Sequence, residues 1–358
     1  MMHNSRHWRR RSLTVSALSV AATLTLAACS APQADSQSKS TSVVFTNSGG
    51  AFGDCAQTAW TDPFTKSTGI TVVKGPETDS SKVKAMVLTK QYGPDVVYAA
   101  SNLVQEGNGK ELFEPIDYSG IKKDEILKGL TPTYGVAVDT FSTVLGYRTD
   151  KFGGAKPTTW ADFFDLTKFP GKRGVYDTNI VNVLYMALLA DGVPPGDLTT
   201  IDVPRALKKL DSIKSSIVWF QTGQQGEDLL GSGEVAMASI FSNRVASMKS
   251  SGKAVAGSWN GQIISSDFLA IPKGDPNAAV AQKLITFIVG KENNGNFSQC
   301  QSIGPANTKS AVNDKVSEDL PSSHLDVPHV VADSEELTSY AAAHLGEITT
   351  AFQSWKSK

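Results

Sequence analysis

From residue 41 the chain alternates short β-branched segments with helical ones, and that alternation leaves few folds open. TSVVFTN (41–47), GITVVKG (69–75) and PDVVYAA (94–100) have the length and side chains of strands. Between them, residues 54–67 read as a helix ended by Gly69. SSKVKAMVLTKQ (80–91) reads as a second, with Val83, Met86 and Val87 on one face. A β-α-β-α-β order implies a parallel sheet with helices on its faces.

The same alphabet resumes further on. Residues 134–150 are strand-like throughout, apart from a polar break at Asp139-Thr140. TTWADFFDLTKF opens as a helix should, with Thr158 or Thr159 as cap and Asp162 in the first turn. GKRGVYD predicts a strand, NIVNVLYMALLADG an apolar helix ending at Gly192, and DVPRALKKLDSIKSS an amphipathic helix with Pro204 near its start. IVWFQTG predicts a strand, and residues 227–252 a further strand and helix. DFLAI (267–271) is a strand that crosses back, and NAAVAQKLITFIVG a helix with Ala281, Leu284, Ile285 and Ile288 along one face. The expected architecture is α/β, with two lobes, each a mainly parallel sheet flanked by helices, joined by two crossing strands. Residues 43–142 and 264–320 form the first lobe and 143–263 the second. Residues 321–358 form a C-terminal helical tail of unassigned lobe. Such folds bind ligands in the crevice at the carboxyl ends of their strands.

The first 28 residues stand outside this scheme. Four arginines without an acid precede a short run of apolar and small residues, the pattern of an export signal. It closes on Leu26-Ala27-Ala28-Cys29, which resembles the lipobox of bacterial lipoproteins. Cys29 is then expected to carry lipid, with 29–42 as a flexible tether. A chance cysteine after an ordinary signal is the alternative, and RRRSL hints weakly at twin-arginine export. The expected location is outside the cell, anchored to the outer face of its membrane. Without the leader, 30 basic residues face 35 acidic ones, a net charge of −5 with no basic stripe, which argues against nucleic acid. Cys55 and Cys300 remain; export and an even count favour a disulfide over two buried thiols.

The motif content argues against an enzyme. Beyond the leader the only histidines are His324, His329 and His344, and no HExxH, GxSxG, phosphate loop or CxxC occurs. No metal or cofactor is called for.

Several segments together resemble the extracellular solute-binding proteins of ABC importers, in the polyamine-binding branch. They are NSGG (47–50), TWADFFDLTKFPGKRGVYD (159–177), LLGSGEVAMASIFSNRV (229–245), DFLAIPKGDPNAAVAQKLITFI (267–288) and SIGPAN (302–307). The resemblance implies a type II periplasmic-binding-protein-like fold. It also implies lobe closure on a small ligand, delivery to a membrane permease, and a monomer. A receptor domain reporting to a sensor is the rival within this fold.

The resemblance also suggests the ligand. Polyamine binders hold ammonium groups with acids and line the alkyl chain with aromatic rings. Asp267 stands at the acid of the D-x-L-A-I-P motif. Asn179 and Asn182 stand where such binders place acids, Ser265 where spermidine binders have an aromatic residue, and Ser48 where a tryptophan is frequent. Arg244, at the end of SIFSNR, would repel a polyamine but fork onto a carboxylate. Arg244 with Asp267 therefore suits an ω-amino acid such as 4-aminobutyrate, as in the 4-aminobutyrate-binding members of the branch. A polyamine is the alternative ligand, and a mutual ion pair or a surface position the alternative role for these two residues. Trp259 and Trp219 are candidates to cover the alkyl chain, Ser48 and Gly49 to donate hydrogen bonds, and Asn102 and Asn179 to line the cleft. Asp177 is read as a helix cap.

Overall fold

The computed structural model describes residues 41–46, 49–76 and 80–358. Cys29 and Ser48 lie outside the described residues. The strands are β1 (Ser42–Phe45), β2 (Thr71–Lys74), β3 (Val97–Ala100), β4 (Val136–Ala137), β5 (Asp139–Arg148), β6 (Arg173–Tyr176), β7 (Ile217–Phe220), β8 (Met237–Phe241), β9 (Val255–Ser265), β10 (Asp267–Ala270), β11 (Gly304–Pro305) and β12 (His329–Val331). The α-helices are α1 (Gly50–Ala56), α2 (Asp62–Thr68), α3 (Ser80–Thr89), α4 (Ser101–Val104), α5 (Glu106–Leu112), α6 (Trp160–Phe164), α7 (Ile180–Ala190), α8 (Val203–Asp211), α9 (Gly223–Ser232), α10 (Ser242–Ser250), α11 (Ala278–Val289) and α12 (Glu335–Ser357).

Local chemistry explains the element ends. Gly69 closes α2 in the left-handed conformation, φ 73°, as a C-cap glycine does. Thr159 and Asp162 form a reciprocal capping box at α6. Asp202 caps α8, and Pro204 occupies its first turn, where a missing N–H costs nothing. The Trp160 indole donates to Gly261 O at 2.7 Å, an approach so close that a β-carbon at Gly261 would lie 2.9 Å from the ring.

Buried side chains gather into separate cores. One holds Val43, Phe45, Trp60, Phe64, Phe113, Phe268 and the buried face of α11. A second holds Trp160, Phe163, Phe169, the apolar α7 and, from the C-terminal segment, Val330, Ile348, Phe352 and Trp355. A smaller third, around Val144, Leu230 and Ile240, lies beside the second. The C-terminal tail, unassigned by sequence, thus packs with the second lobe. The reason is in its pattern: Ile348, Phe352 and Trp355 return every three to four residues on one face of α12, and Trp355 Nε1 donates to Asp211 Oδ1 at 2.7 Å.

Strand direction corrects the expectation of mainly parallel sheets. β1 and β2 are parallel, but β3 and β4 both flank β10 antiparallel to it. In the second lobe the order is β12-β9-β5-β8-β6-β7. There β5 runs antiparallel to β8 and β9, while β6 is parallel to β7 and β8 and β12 is parallel to β9. The mixture follows from the crossings. The chain enters the second lobe along β5 and leaves it along β9, so these central neighbours must run in opposite directions. The two expected crossings, β4 to β5 and β9 to β10, are joined by a third, from β12 into α12. Its first residues return to the first lobe, where Glu335 N donates to Gly129 O at 3.1 Å.

Cys55 and Cys300 are disulfide-bonded, with Cα atoms 5.8 Å apart. Both belong to the first lobe, and the loop they close contains β5 to β9 of the second lobe, while β12 and the rest of the C-terminal segment join that lobe from outside the loop. Among the described residues no helix is long and apolar enough to cross a membrane.

Candidate functional site

Strand register gathers three carboxylates at one level. In the antiparallel β5–β9 pair Phe141 faces Ser265, so two residues back along β5 Asp139 comes opposite Asp267. Asp267 N accordingly donates to Asp139 Oδ1 at 3.0 Å. In the parallel β12–β9 pair Val331 faces Ile264, so two residues on Asp333 comes beside Ser266. Ser266 N donates to Asp333 Oδ2 at 2.8 Å, and Ser101 Oγ from α4 donates to Asp333 Oδ1 at 2.7 Å. One aspartate thus stands at each of the three crossings. Tyr98 donates its hydroxyl to Asp139 Oδ2 from the first-lobe side.

Asp267 and Asp333 border a cleft of about 610 Å³, and Asp139 is buried beside them, outside its lining. Ser265, Ser266, Asp267 and Asp333 form its crossing end, and Asn102 and Asn108 its first-lobe wall. Phe141, Phe241, Thr178, Asn179 and Asn182 form its second-lobe wall. The remaining wall is one face of α12, where Thr338, Ala341, Ala342 and Leu345 recur at helical spacing.

The crossing end is short of positive charge. No ion pair between described residues involves Asp139, Asp267 or Asp333. Burial, and then the nearby charges of Asp139 and Asp333, push the Asp267 carboxyl well above the usual carboxylate range. Burial raises Asp139 to about 6 against the hydrogen bonds that favour its charged form, and burial also raises Asp333. The Tyr98 phenol is pushed well up by burial and by Asp139. A cation placed here would relieve all of these penalties together.

The second-lobe wall is polar without acid. Asn179 caps α7 with its backbone but makes no side-chain capping bond, and the helix's first turn carries no acidic residue. Free N–H groups and the positive end of the helix dipole therefore face that wall. Asn182 Nδ2 donates to Thr143 Oγ1 at 3.2 Å.

Of the residues singled out by sequence, the cleft gathers Asp267, Asn102, Asn179 and Ser265. It does not gather four others. Arg244 lies against Glu227 of the same lobe, Nη1 to Oε1 3.0 Å, in a half-exposed pair. Its side chain packs under Gly223, which borders a smaller recess shared with Asn179 and Phe241. Trp259 stacks on His324, ring centroids 4.2 Å apart, because the C-terminal segment folds back over β9. Trp219 packs edge-on against Phe352 and Trp355, beneath the Lys356 ammonium. Gly49 begins α1 at φ 66°, a conformation glycine adopts without strain. The aromatic surface of the cleft is instead the edge-to-face pair Phe141 and Phe241, 5.3 Å apart. Asp177 does not cap α7 but pairs with Lys356.

Asp139 and Asp333 are the site residues that sequence reasoning missed. Each left a trace: an acid interrupting the apolar run 134–147, and an acid directly after the strand-like HVVA (329–332). An acid inside an apolar strand pattern is buried, and a buried acid needs a partner.

Comparison with known proteins places the chain in a family. The sequence profile of the bacterial extracellular solute-binding proteins matches residues 59–321. The γ-aminobutyric acid-binding protein of Pseudomonas aeruginosa is 32% identical over 334 residues, 91% of this chain and 94% of that protein. The spermidine/putrescine-binding periplasmic protein 1 of Haemophilus influenzae is 26% identical over 250 residues, 64% of this chain and 67% of that protein. The solved structure of the Atu4243–GABA receptor superimposes with a TM-score of 0.78 at 33% identity, covering 88% of this chain and 98% of that one. The fold is that of the type II periplasmic binding proteins, and the chain belongs to the bacterial extracellular solute-binding proteins, which serve ABC importers as binding subunits and not as enzymes.

Proposed function

We propose that this protein captures a small solute bearing an amino group, with an ω-amino acid such as 4-aminobutyrate as the ligand that fits best, and passes it to an ABC permease. The observation that carries this reading is the convergence of Asp139, Asp267 and Asp333 at the crossings with no ion-pair partner among the described residues. An ammonium group supplies the missing charge. The alkyl chain lies against Phe141 and Phe241, and a carboxylate at the far end meets the N-terminus of α7 with Thr178, Asn179 and Asn182. Because the carboxylates stand at the crossings and the α7 terminus in the second lobe, a ligand with both charges bridges the parts that must approach. That gives it the differential affinity without which no ligand drives closure. The relatives named for 4-aminobutyrate and for spermidine/putrescine both bind amines, which supports the amine before it supports the carboxylate.

Calorimetry of the purified protein with 4-aminobutyrate, putrescine and spermidine tests this. Binding of 4-aminobutyrate in preference to the diamine is expected. Preference for putrescine favours the polyamine reading, and failure to bind any amine refutes the proposal. Anchoring by lipid on Cys29 is proposed from LAAC and its polar tether. Cys29→Ala should shift the protein from the membrane fraction to the medium, and an unchanged distribution rejects the anchor.

A further inference from the structure

The disulfide is joined to the crossings by a line of aromatic contacts. Cys55 stands one turn after Phe52 on α1, and its partner Cys300 directly follows the 3₁₀ turn Asn294–Gln299. The Phe52 ring lies 4.6 Å from that of Phe297 in this turn and meets the Tyr98 ring edge-on at 5.1 Å, centroid to centroid. Tyr98 donates to Asp139, and Asp139 accepts from Asp267 N. An unbroken series of contacts therefore runs from the bridge to the backbone of a cleft residue. Side-chain capping does not hold the start of α1, where Gly49 and Gly50 take φ 66° and 49°. Contacts from residues 297–301 hold it instead: the Phe297 ring, the bridge, and Gln301 Nε2, which donates to Ala51 O at 3.3 Å. That segment is itself fixed against Asp139. The fully buried Asn294 donates from Nδ2 to Val138 O at 2.6 Å, and β11 pairs with β5 at Asp139 and Thr140. Residues 294–305 thus hold the Asp139 backbone directly, and its side chain by way of Phe52 and Tyr98.

We propose that Phe52 is a positioning residue for ligand binding, acting through Tyr98 on Asp139 and Asp267, and that the Cys55–Cys300 bridge holds Phe52 in that role, so that the bridge governs ligand affinity as well as stability. The proposal rests on the amine reading above and concerns how its carboxylates are kept in place. A binding constellation works only when its side chains are held to within about 0.5 Å by neighbours that are themselves packed. An edge-to-face pair is directional, because the ring edge is positive and the face negative. A leucine at position 52 would fill space beside Tyr98 without fixing the tilt of its ring, and the tilt aims the hydroxyl at Asp139.

The test is calorimetry with 4-aminobutyrate and with putrescine, at a temperature where thermal unfolding shows each protein folded. The proteins are wild type, Phe52→Leu, Phe52→Tyr, Tyr98→Phe, the double variant Phe52→Leu with Tyr98→Phe, and Cys55→Ser with Cys300→Ser. Tyr98→Phe and Phe52→Leu should each weaken binding of the preferred amine ~10-fold, and Phe52→Tyr, which keeps the ring, less than ~3-fold. The double variant should bind within about twofold of Tyr98→Phe alone, because both changes act on one series of contacts. A residue that merely stabilised the fold would not show that coupling in affinity. The cysteine-free variant should bind ~10-fold more weakly than wild type. If it fails to fold, the Phe52 and Tyr98 cycle carries the test. Penalties that multiply in the double variant overturn the positioning role, as does undiminished binding by Phe52→Leu, and both leave the proposed function standing. Undiminished binding by a folded cysteine-free variant overturns the part assigned to the bridge. Wild type that binds neither amine overturns the proposed function and this inference with it.

Discussion

Replacing Asp267 by asparagine should move binding and stability in opposite directions. The side chain keeps its shape but loses its charge, and two consequences follow from its place at the crossings. An ammonium in the cleft loses one charged partner. Breaking a buried pair by removing one member costs about 3–5 kcal/mol, and the low end applies because Asp333 and Asp139 remain. About 3 kcal/mol is a loss of roughly a hundredfold in affinity. The ligand-free protein should gain. Asp267 titrates well above the carboxylate range when folded, because burial and the charges of Asp139 and Asp333 oppose its ionisation, whereas in the unfolded chain it titrates near 4. The folded state therefore holds the proton more tightly, and stability falls as pH rises above 4 until the folded group has ionised. The amide is spared that fall. Thermal unfolding without ligand should show no difference between variant and wild type at pH 4. At pH 8 the variant should be the more stable, by about 1 kcal/mol or roughly 2–4 °C. Binding within threefold of wild type, or a variant less stable than wild type at pH 8, would refute the assignment of Asp267 as a strained carboxylate held in readiness for a cation.

Three further outcomes are expected. Cys55→Ser with Cys300→Ser opens a loop spanning 245 positions, and the chain-entropy model assigns such a bridge about 5 kcal/mol as an upper figure, so the melting temperature should drop by roughly 10 °C; an unchanged value would mean the bridge constrains little. Asp275, whose Oδ2 has no hydrogen-bond partner unless a proton is shared with Asp95, is raised by burial to about 7, so folding stability should decline between pH 4 and 7 and Asp275→Asn should flatten that decline in thermal unfolding. Arg244→Ala should weaken 4-aminobutyrate binding less than ~tenfold by calorimetry, because the guanidinium is half-exposed and paired with Glu227; abolition of binding would return Arg244 to a direct contact with the carboxylate.

Much of this molecule follows from local pattern. The β-branched runs at 42–45, 71–74 and 97–100, the capping box at Thr159 and Asp162, and the glycine stop at 69 each act over a few residues, so each is visible in a single sequence. The polar break at Asp139-Thr140 was visible too, as was Asp267 within its motif. The direction of each strand was not, because pairing depends on which segments lie side by side and not on their composition. The carboxylate cluster at the crossings depends on the same thing. Asp139, Asp267 and Asp333 are 128 and 66 positions apart along the chain, and only the β5–β9 and β12–β9 registers bring them to one level. Trp259 and Trp219 have the composition of a ligand box. The C-terminal segment covers both, Trp259 through His324 and Trp219 through Phe352 and Trp355, and so takes them out of the cleft. Residue type states what chemistry a position can perform. Long-range packing decides which positions meet, since a one-residue slip of β12 against β9 would turn Asp333 to the opposite face of the sheet.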